Sequence, residues 1–459
     1  MKKEKCEMEI CKSTVEELFE ELFTEAKDAL KKYIQINTVN PPGNVDEAVA
    51  FLESILQKEN IEYKIYSCSS GKKAIAGFIR GEKKDSLLLL NHMDVVPADQ
   101  DKWEFDAFSG EERNGCIEGR GALDMKGLGV AQLMAMIFYK RQSVVPKKTV
   151  VFLAVPDEEI GGKEGAKYIV DNYWEDLNPV GVLDEGGFGT RDINEKFPVF
   201  FVACGQKKGI WLQIKAHGKA GHASQPSLDN PNDILIKALH KIITHPECPA
   251  GDKILWDTII KVSKLRGGAY YLIAKLYKIK FIRSCIGKYL HKIKFFNAII
   301  RNTETISVIN SGIKVNVIPE EAEALIDCRI LPKTDYHEVI HRLEKLVDDE
   351  RIEFNVIKEM EQSDISDSQS ALFKAVQKSI CSYYKNAKVL PYITPVGTDA
   401  KYFREKKVDS YGIYPIVISQ AELESFHGNN EKVPVREYKK CCEILIDIID
   451  KYCCREGEN

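Results

Sequence analysis

The stretch that most constrains this chain covers residues 87–126. Four consecutive leucines, Leu87 to Leu90, are too few to span a membrane and suit a parallel strand buried on both faces. The run ends at Asn91, and His92-Met93-Asp94 follow. Residues two apart on an extended chain point the same way, so His92 and Asp94 can meet one object at the strand's carboxyl end, where open α/β sheets carry their sites. Beyond a loop punctuated by Pro97 and Gly110, the segment Gly119-Arg120-Gly121-Ala122-Leu123-Asp124 delivers a carboxylate just ahead of an apolar helix. One His and one Asp at a strand end also describe a capped strand with a solvated imidazole. The remainder of the chain decides between the two.

The same pattern returns twice. Apolar strands are expected at 149–155, running into Pro156-Asp157-Glu158-Glu159, and at 180–183, running into Asp184-Glu185-Gly186-Gly187. Helical periodicity covers 15–36, 46–57, 124–141 and 164–172. Strands alternating with helices argue for an α/β fold on a mainly parallel sheet. Near Gly205 the rhythm changes. Residues 210–216 alternate as a half-exposed strand, Gly221-His222-Ala223-Ser224 follow, and 231–243 read as a helix. Residues 305–310, 313–317 and 322–330 alternate as antiparallel strands around the Ser311-Gly312 turn. An inserted α+β domain over 205–332 is therefore expected, splitting the main domain into 1–204 and 333–459. In the last part, helices are expected at 336–348, 370–384 and 435–451, strands at 353–357 and 389–394, and the motif Phe426-His427-Gly428 precedes the closing helix.

Composition excludes some classes. A length of 459 residues allows two domains with ample core, and 44% hydrophobic with 29% charged residues is ordinary for a globular chain. A net charge of -4 offers no global attraction to nucleic acid. The thirteen cysteines form no C-x-x-C pair, although Cys441-Cys442 and Cys453-Cys454 are tandem. No apolar signal region is read at the start and no run is long enough to span a membrane, so a cytoplasmic setting with reduced thiols is expected. Residues 258–301 carry Lys and Arg but no Asp or Glu, interleaved with Tyr, Leu, Ile and Phe. A pair of helices with a solvated basic face explains this, as does a surface for peripheral contact with lipid headgroups or a long apolar anion. No recognition motif supports a nucleic-acid partner.

His92, Asp94, Asp124, Glu158, Glu159, Asp184 and Glu185 all follow strands or open helices and would gather at one sheet edge, with His427 added from the last part. So many carboxylates cannot share a dry edge without counter-charge. A mixed His/carboxylate set lacking Cys suits zinc or a similar divalent ion, two of them sharing a bridging carboxylate.

The motifs HMDVVP, GRGALDMKG, PDEEIGG, LDEGG, GHAS, NVIPEE and FHGNNEKVPV occur in that order. Together they resemble the aminoacylase/carboxypeptidase family of co-catalytic zinc hydrolases, over about residues 33–438. WEFDAFSG, NAIIRNTETISVINSGIKVNVIP and GIYPIVISQAELESFHGNNEKV look most like its carboxypeptidase S and N-fatty-acyl-amino-acid synthase/hydrolase branches. The resemblance implies a mainly parallel-sheet zinc-hydrolase catalytic domain with an inserted α+β lid and dimerisation domain. It implies His92, Asp124, Glu159, Glu185 and His427 as ligands of two metal ions, zinc or else cobalt or manganese, with Asp124 bridging and Asp184 the alternative to Glu185. Asp94 would orient His92, and Glu158 would be the general base that moves a proton from water to the leaving amine. In the lid, His222 would stabilise the oxyanion in a partner subunit's site, Arg329 would grip a substrate carboxylate, and Asn316, Gly397 and Thr398 would face substrate. Where the family often has a second Asp after the bridging one, this chain has Met125.

The expected activity is hydrolysis of the amide of an N-acyl amino acid, fatty-acyl substrates included, or of a small peptide with a free carboxylate. A strict carboxypeptidase or dipeptidase on the same scaffold is the alternative, and a non-catalytic binding relative the more distant one, since Glu158 and every ligand position are kept.

Overall fold

The computed structural model describes residues 2–250, 253–266, 269–291 and 293–454 and divides into two compact units. The larger takes the chain up to Cys204, then Ser366–Pro391, then the residues from Thr398 onward. The smaller takes Gly205–Ile365 and Tyr392–Gly397.

The main sheet of the larger unit runs in the order Glu62–Ser67, Lys73–Ile79, Lys148–Val155, Lys83–His92, Pro179–Asp184, Ser410–Gly412, Val199–Gln206, Lys388–Thr394, with Phe188–Thr190 added beside Val199–Gln206. The central strands Lys148–Val155, Lys83–His92, Pro179–Asp184 and Ser410–Gly412 are parallel, and antiparallel pairs flank them. The sheet is thus mainly parallel at its centre, as the strand–helix alternation predicts. Leu87 to Leu90 are wholly buried. Leu88 and Leu90 join a core with Val151, Leu153, Ile169 and Phe403. The helix Lys126–Arg141 packs on the same sheet and is covered in turn by the helices Lys2–Gln35 and Val435–Ile449. Each fully buried leucine contributes about 1.5–3 kcal/mol relative to exposure, which fixes the strand's place in the middle. Register sets His92 beside Val155 and Leu89 beside Leu183, so three strands end at one edge. Their next residues carry the candidate chemistry.

In the smaller unit Thr303–Ser311, Glu321–Ile330, Lys208–His217 and Ile352–Glu359 form an antiparallel sheet in that order. Alternate residues of Glu321–Ile330 are buried, and Ile234, Leu235, Leu239, Val339 and Leu343 from the helices Pro231–Thr244 and Tyr336–Val347 complete that core. Three expectations change here. The strand expected at 313–317 does not form: Ile313 and Val315 are fully exposed, and Val317–Ile318 pairs instead with Gly221–His222. The smaller unit does not end at Pro332 either, because Ile352–Glu359 pairs with Lys208–His217 and the chain rejoins the larger unit only at Ser366. Among its described residues the basic stretch falls in four helices rather than two: Lys253–Arg266, Ala269–Lys275, Lys280–Leu290 and Lys294–Ile300. The eleven cysteines from Cys68 to Cys454 form no disulfide with one another, and among the described residues no helix is long and apolar enough to cross a membrane.

Candidate active site

Two side-chain groups in the larger unit share one carboxylate. His92 Nε2 lies 3.2 Å from Asp124 Oδ1 and 3.4 Å from Glu185 Oε1. His427 Nε2 lies 3.0 Å from Asp124 Oδ2 and 3.2 Å from Glu159 Oε2. The ligand atoms within each group lie within 4.8 Å of one another, and Asp124 offers one oxygen to each. Asp184 stands apart: its Oδ2 accepts the N–H of Ala400 at 2.9 Å, while Glu185 faces His92.

The local structure explains these positions. Asp157 follows the strand Lys148–Val155 in the left-handed region, φ 72°, which acidic residues enter more readily than most. It turns the chain so that Glu158–Ile160 forms a short 3-10 turn. The Asp94 carboxylate accepts the N–H groups of Glu158 and Glu159 at 3.3 and 3.2 Å and Asn40 Nδ2 at 2.8 Å. It is the Asp94 backbone carbonyl that takes His92 Nδ1–H, at 2.8 Å, leaving Nε2 as the lone-pair donor towards Asp124 and Glu185. Asp94 thus holds His92 through its backbone and the Glu158–Glu159 turn through its side chain. Met125, where a further carboxylate is usual, is buried, and its Sδ lies 3.3 Å from the backbone N of His92.

Other supports escape a reading of motifs. Glu431 has no solvent exposure and accepts the N–H groups of Leu123 and Asp124 at 2.7 and 3.0 Å. Arg120 donates to Glu431 at 2.7 Å and to the carbonyl of Gly428, next to His427, at 2.6 Å. Lys126, also buried, donates to the carbonyls of Tyr33 and Ile36, and burial pushes its ammonium down to about 7. Asp157 is held by Asn40 at 3.0 Å and by Lys72. Asp399, in the loop after Gly397 and Thr398, is buried with neither carboxylate oxygen hydrogen-bonded, and burial pushes it up to about 7. Apart from Lys126, which opens the helix Lys126–Arg141, these are polar residues in loops, and only the fold reveals their partners.

Burial dominates the electrostatics of the three glutamates, with neighbouring carboxylates adding to it. It raises Glu158 and Glu185 well above the usual carboxylate range, and it raises Glu159 as well. Burial works against ionisation of Asp124 too, but the imidazoles of His427 and His92 outweigh it and hold that carboxyl below its usual value. Hydrogen bonding to Asp124 and Glu159 lifts His427 to about 10. Glu159 Oε1 is buried without a hydrogen-bond partner. Crowded carboxylates that strain against ionisation, an orphaned carboxylate oxygen and the His92 imidazole with its fixed tautomer fit a pair of divalent cations.

Of the residues expected in the lid, His222 lies in the two-residue strand Gly221–His222, is exposed, and its Nδ1 lies 2.7 Å from Ser224 Oγ. Asn316 is exposed, and its carbonyl accepts the N–H of Ala223 at 3.1 Å. The Arg329 fork is engaged by Asp327 of the same strand, at 2.9 and 3.0 Å. Gly397 ends the smaller unit, and Thr398, buried, begins the return to the larger.

The model of peptidase family M20/M25/M40 matches residues 88–451. The chain belongs to that family. It is therefore a hydrolase of the metallopeptidase and amidohydrolase type. The N-fatty-acyl-amino acid synthase/hydrolase of Mus musculus is 28% identical over 445 residues, covering 92% of this chain and 87% of that protein. A probable carboxypeptidase S-like protein of Dictyostelium discoideum is 27% identical over 386 residues, covering 80% of this chain and 72% of its own length. In fold, the chain is similar to an M20 family metallo-carboxypeptidase from Sulfolobus solfataricus, with a TM-score of 0.69 at 20% identity, covering 93% of this chain and 99% of that one.

Proposed function

We propose that this M20 hydrolase is a two-metal amidohydrolase that cleaves the amide of N-acyl amino acids, fatty-acyl ones included. The observation that carries the reading is Asp124, shared between two His/carboxylate groups with the raised carboxyl of Glu158 beside them. His92, Asp124 and Glu185 would hold one ion, and Asp124, Glu159 and His427 the other. Zinc suits the donor set, and cobalt or manganese can replace it. Divalent ions there would supply Lewis acidity, polarising the scissile carbonyl and acidifying water.

Glu158 is the general base in this account. Its carboxylate takes a proton from the attacking water as the oxygen adds to the carbonyl carbon, and delivers it to the amide nitrogen as the C–N bond breaks. A carboxyl with a raised pKa suits both halves of that task. The resemblance of GHAS supports a homodimer through the smaller unit, in which the partner subunit's His222 donates to the developing oxyanion. Arg329 would exchange Asp327 for the substrate carboxylate, with Asn316, Gly397 and Thr398 facing the substrate. A cytoplasmic setting goes with this reading, since thirteen cysteines without a C-x-x-C pair suit a compartment that keeps thiols reduced.

The carboxypeptidase S-like relative favours a second reading, a strict carboxypeptidase or dipeptidase. Measuring kcat/KM of metal-loaded protein on N-acyl amino acids and on dipeptides separates the two. Preference for the acyl series supports the first reading, and turnover of dipeptides alone replaces it with the second. No turnover of either by protein with its metal complement would remove both.

A further inference from the structure

The helices Lys253–Arg266, Ala269–Lys275, Lys280–Leu290 and Lys294–Ile300 of the smaller unit surround a cavity of about 340 Å³. Ile259, Val262, Ala274, Ile286, Leu290 and Phe296 are among the side chains that line it. An apolar cavity of roughly 150 Å³ stays dry and takes up benzene, and small-ligand pockets begin at about 300 Å³. A space of this size is therefore large enough for a ligand and too apolar for ordered water.

Charge narrows the choice of ligand. Residues 258–301 contain eleven Lys and Arg and no Asp or Glu. Lys264 and Lys275 immediately follow the lining residues Ser263 and Ala274 in the chain, and Lys288 immediately precedes the lining residue Tyr289. Beside the cavity, Leu272, Leu276 and Phe281 are 65%, 47% and 77% exposed, so apolar surface continues to the outside. A bilayer surface could meet such a patch but could not fill a cavity between helices.

We propose that this cavity binds the alkyl chain of a free, monomeric long-chain carboxylate, whose headgroup the surrounding lysines meet. None of the lining residues is a candidate hydrolytic residue, and the ligand needs no amide bond. Failure of the hydrolase reading therefore leaves this inference standing, and the reverse also holds.

The test is displacement of a fluorescent polyene fatty acid from the full chain by octanoate, decanoate and dodecanoate, each below its critical micelle concentration. Affinity should rise roughly fourfold per methylene at one site per chain. Occupancy should slow maleimide labelling of the lining residue Cys285, read by peptide mass spectrometry, at least tenfold. Ala274→Phe, which fills the cavity, should weaken dodecanoate at least tenfold with an unchanged Tm. If that variant does not fold, Cys285 protection and the chain-length series in the unaltered protein decide. A flat series, unprotected Cys285, or binding seen only to phosphatidylglycerol vesicles would overturn the proposal, the last in favour of a membrane surface.

Discussion

Arg120 and Glu431, 311 residues apart in the chain, form a buried ion pair of 2.7 Å that ties the loop of Asp124 to the loop of His427. Glu431 also binds the backbone N–H of Asp124, and Arg120 also binds the carbonyl of Gly428. The shared candidate ligand and the ligand contributed from the end of the chain are positioned by one contact. Removing one partner strands the other charge in the interior, at a cost of about 3–5 kcal/mol. Glu431→Ala should therefore lower unfolding free energy in urea by that amount and reduce bound metal by elemental analysis. A loss under about 1 kcal/mol, with full metal content, would contradict the positioning role.

Glu158→Gln should keep metal and fold while lowering kcat by about a hundred- to ten-thousandfold, the usual worth of a general base. An amide side chain cannot accept the proton of water. Retention of a tenth of wild-type turnover in metal-replete protein would assign the base elsewhere.

The strand-end residues were legible because each follows an apolar run that could only be a central strand. His92 after Leu87 to Leu90, Glu159 after the strand Lys148–Val155 and Glu185 after the strand Pro179–Asp184 fall at one edge through parallel register. Arg120, Asn40 and Glu431 were not legible: each is a lone polar residue in a loop, and its partner lies far off in sequence. The same limit explains the misplaced end of the smaller unit. A helix at Tyr336–Val347 and a strand at Ile352–Glu359 look alike in either unit until the strand's partner, Lys208–His217, is known. Residues 313–317 alternate as a strand would, but of these only Val317 is taken up, beside His222.

Arg329→Ala should raise KM for substrates with a free carboxylate about ten- to a hundredfold, the range of a charge-assisted hydrogen bond, and barely change KM for their methyl esters. Asp327→Asn, which loosens the present hold on the guanidinium, should lower KM for the free acids. Equal effects of Arg329→Ala on acids and esters would show that it supports the sheet and does not grip the substrate.

Burial pushes the Lys207 ammonium from its ordinary 10.5 down to about 7. Between those values the unfolded chain binds the proton and the folded one does not, so this residue's contribution to stability rises with pH from about 7 upward, by at most about 1.4 kcal/mol per unit. Below pH 7 the buried charge costs stability. Lys207→Met should therefore be more stable than wild type at pH 6, with the gap closing from pH 7 to pH 9. Parallel pH profiles from urea unfolding would show that Lys207 is not desolvated in solution.

The most direct test of the two-metal account is activity on an N-acyl amino acid, followed as zinc is returned to chelator-stripped protein and bound zinc is counted by elemental analysis. Activity should be absent in stripped protein and reach its plateau near two ions per chain, and His427→Ala should bind less and recover only a small fraction of it. Full activity in protein shown to be metal-free would contradict it.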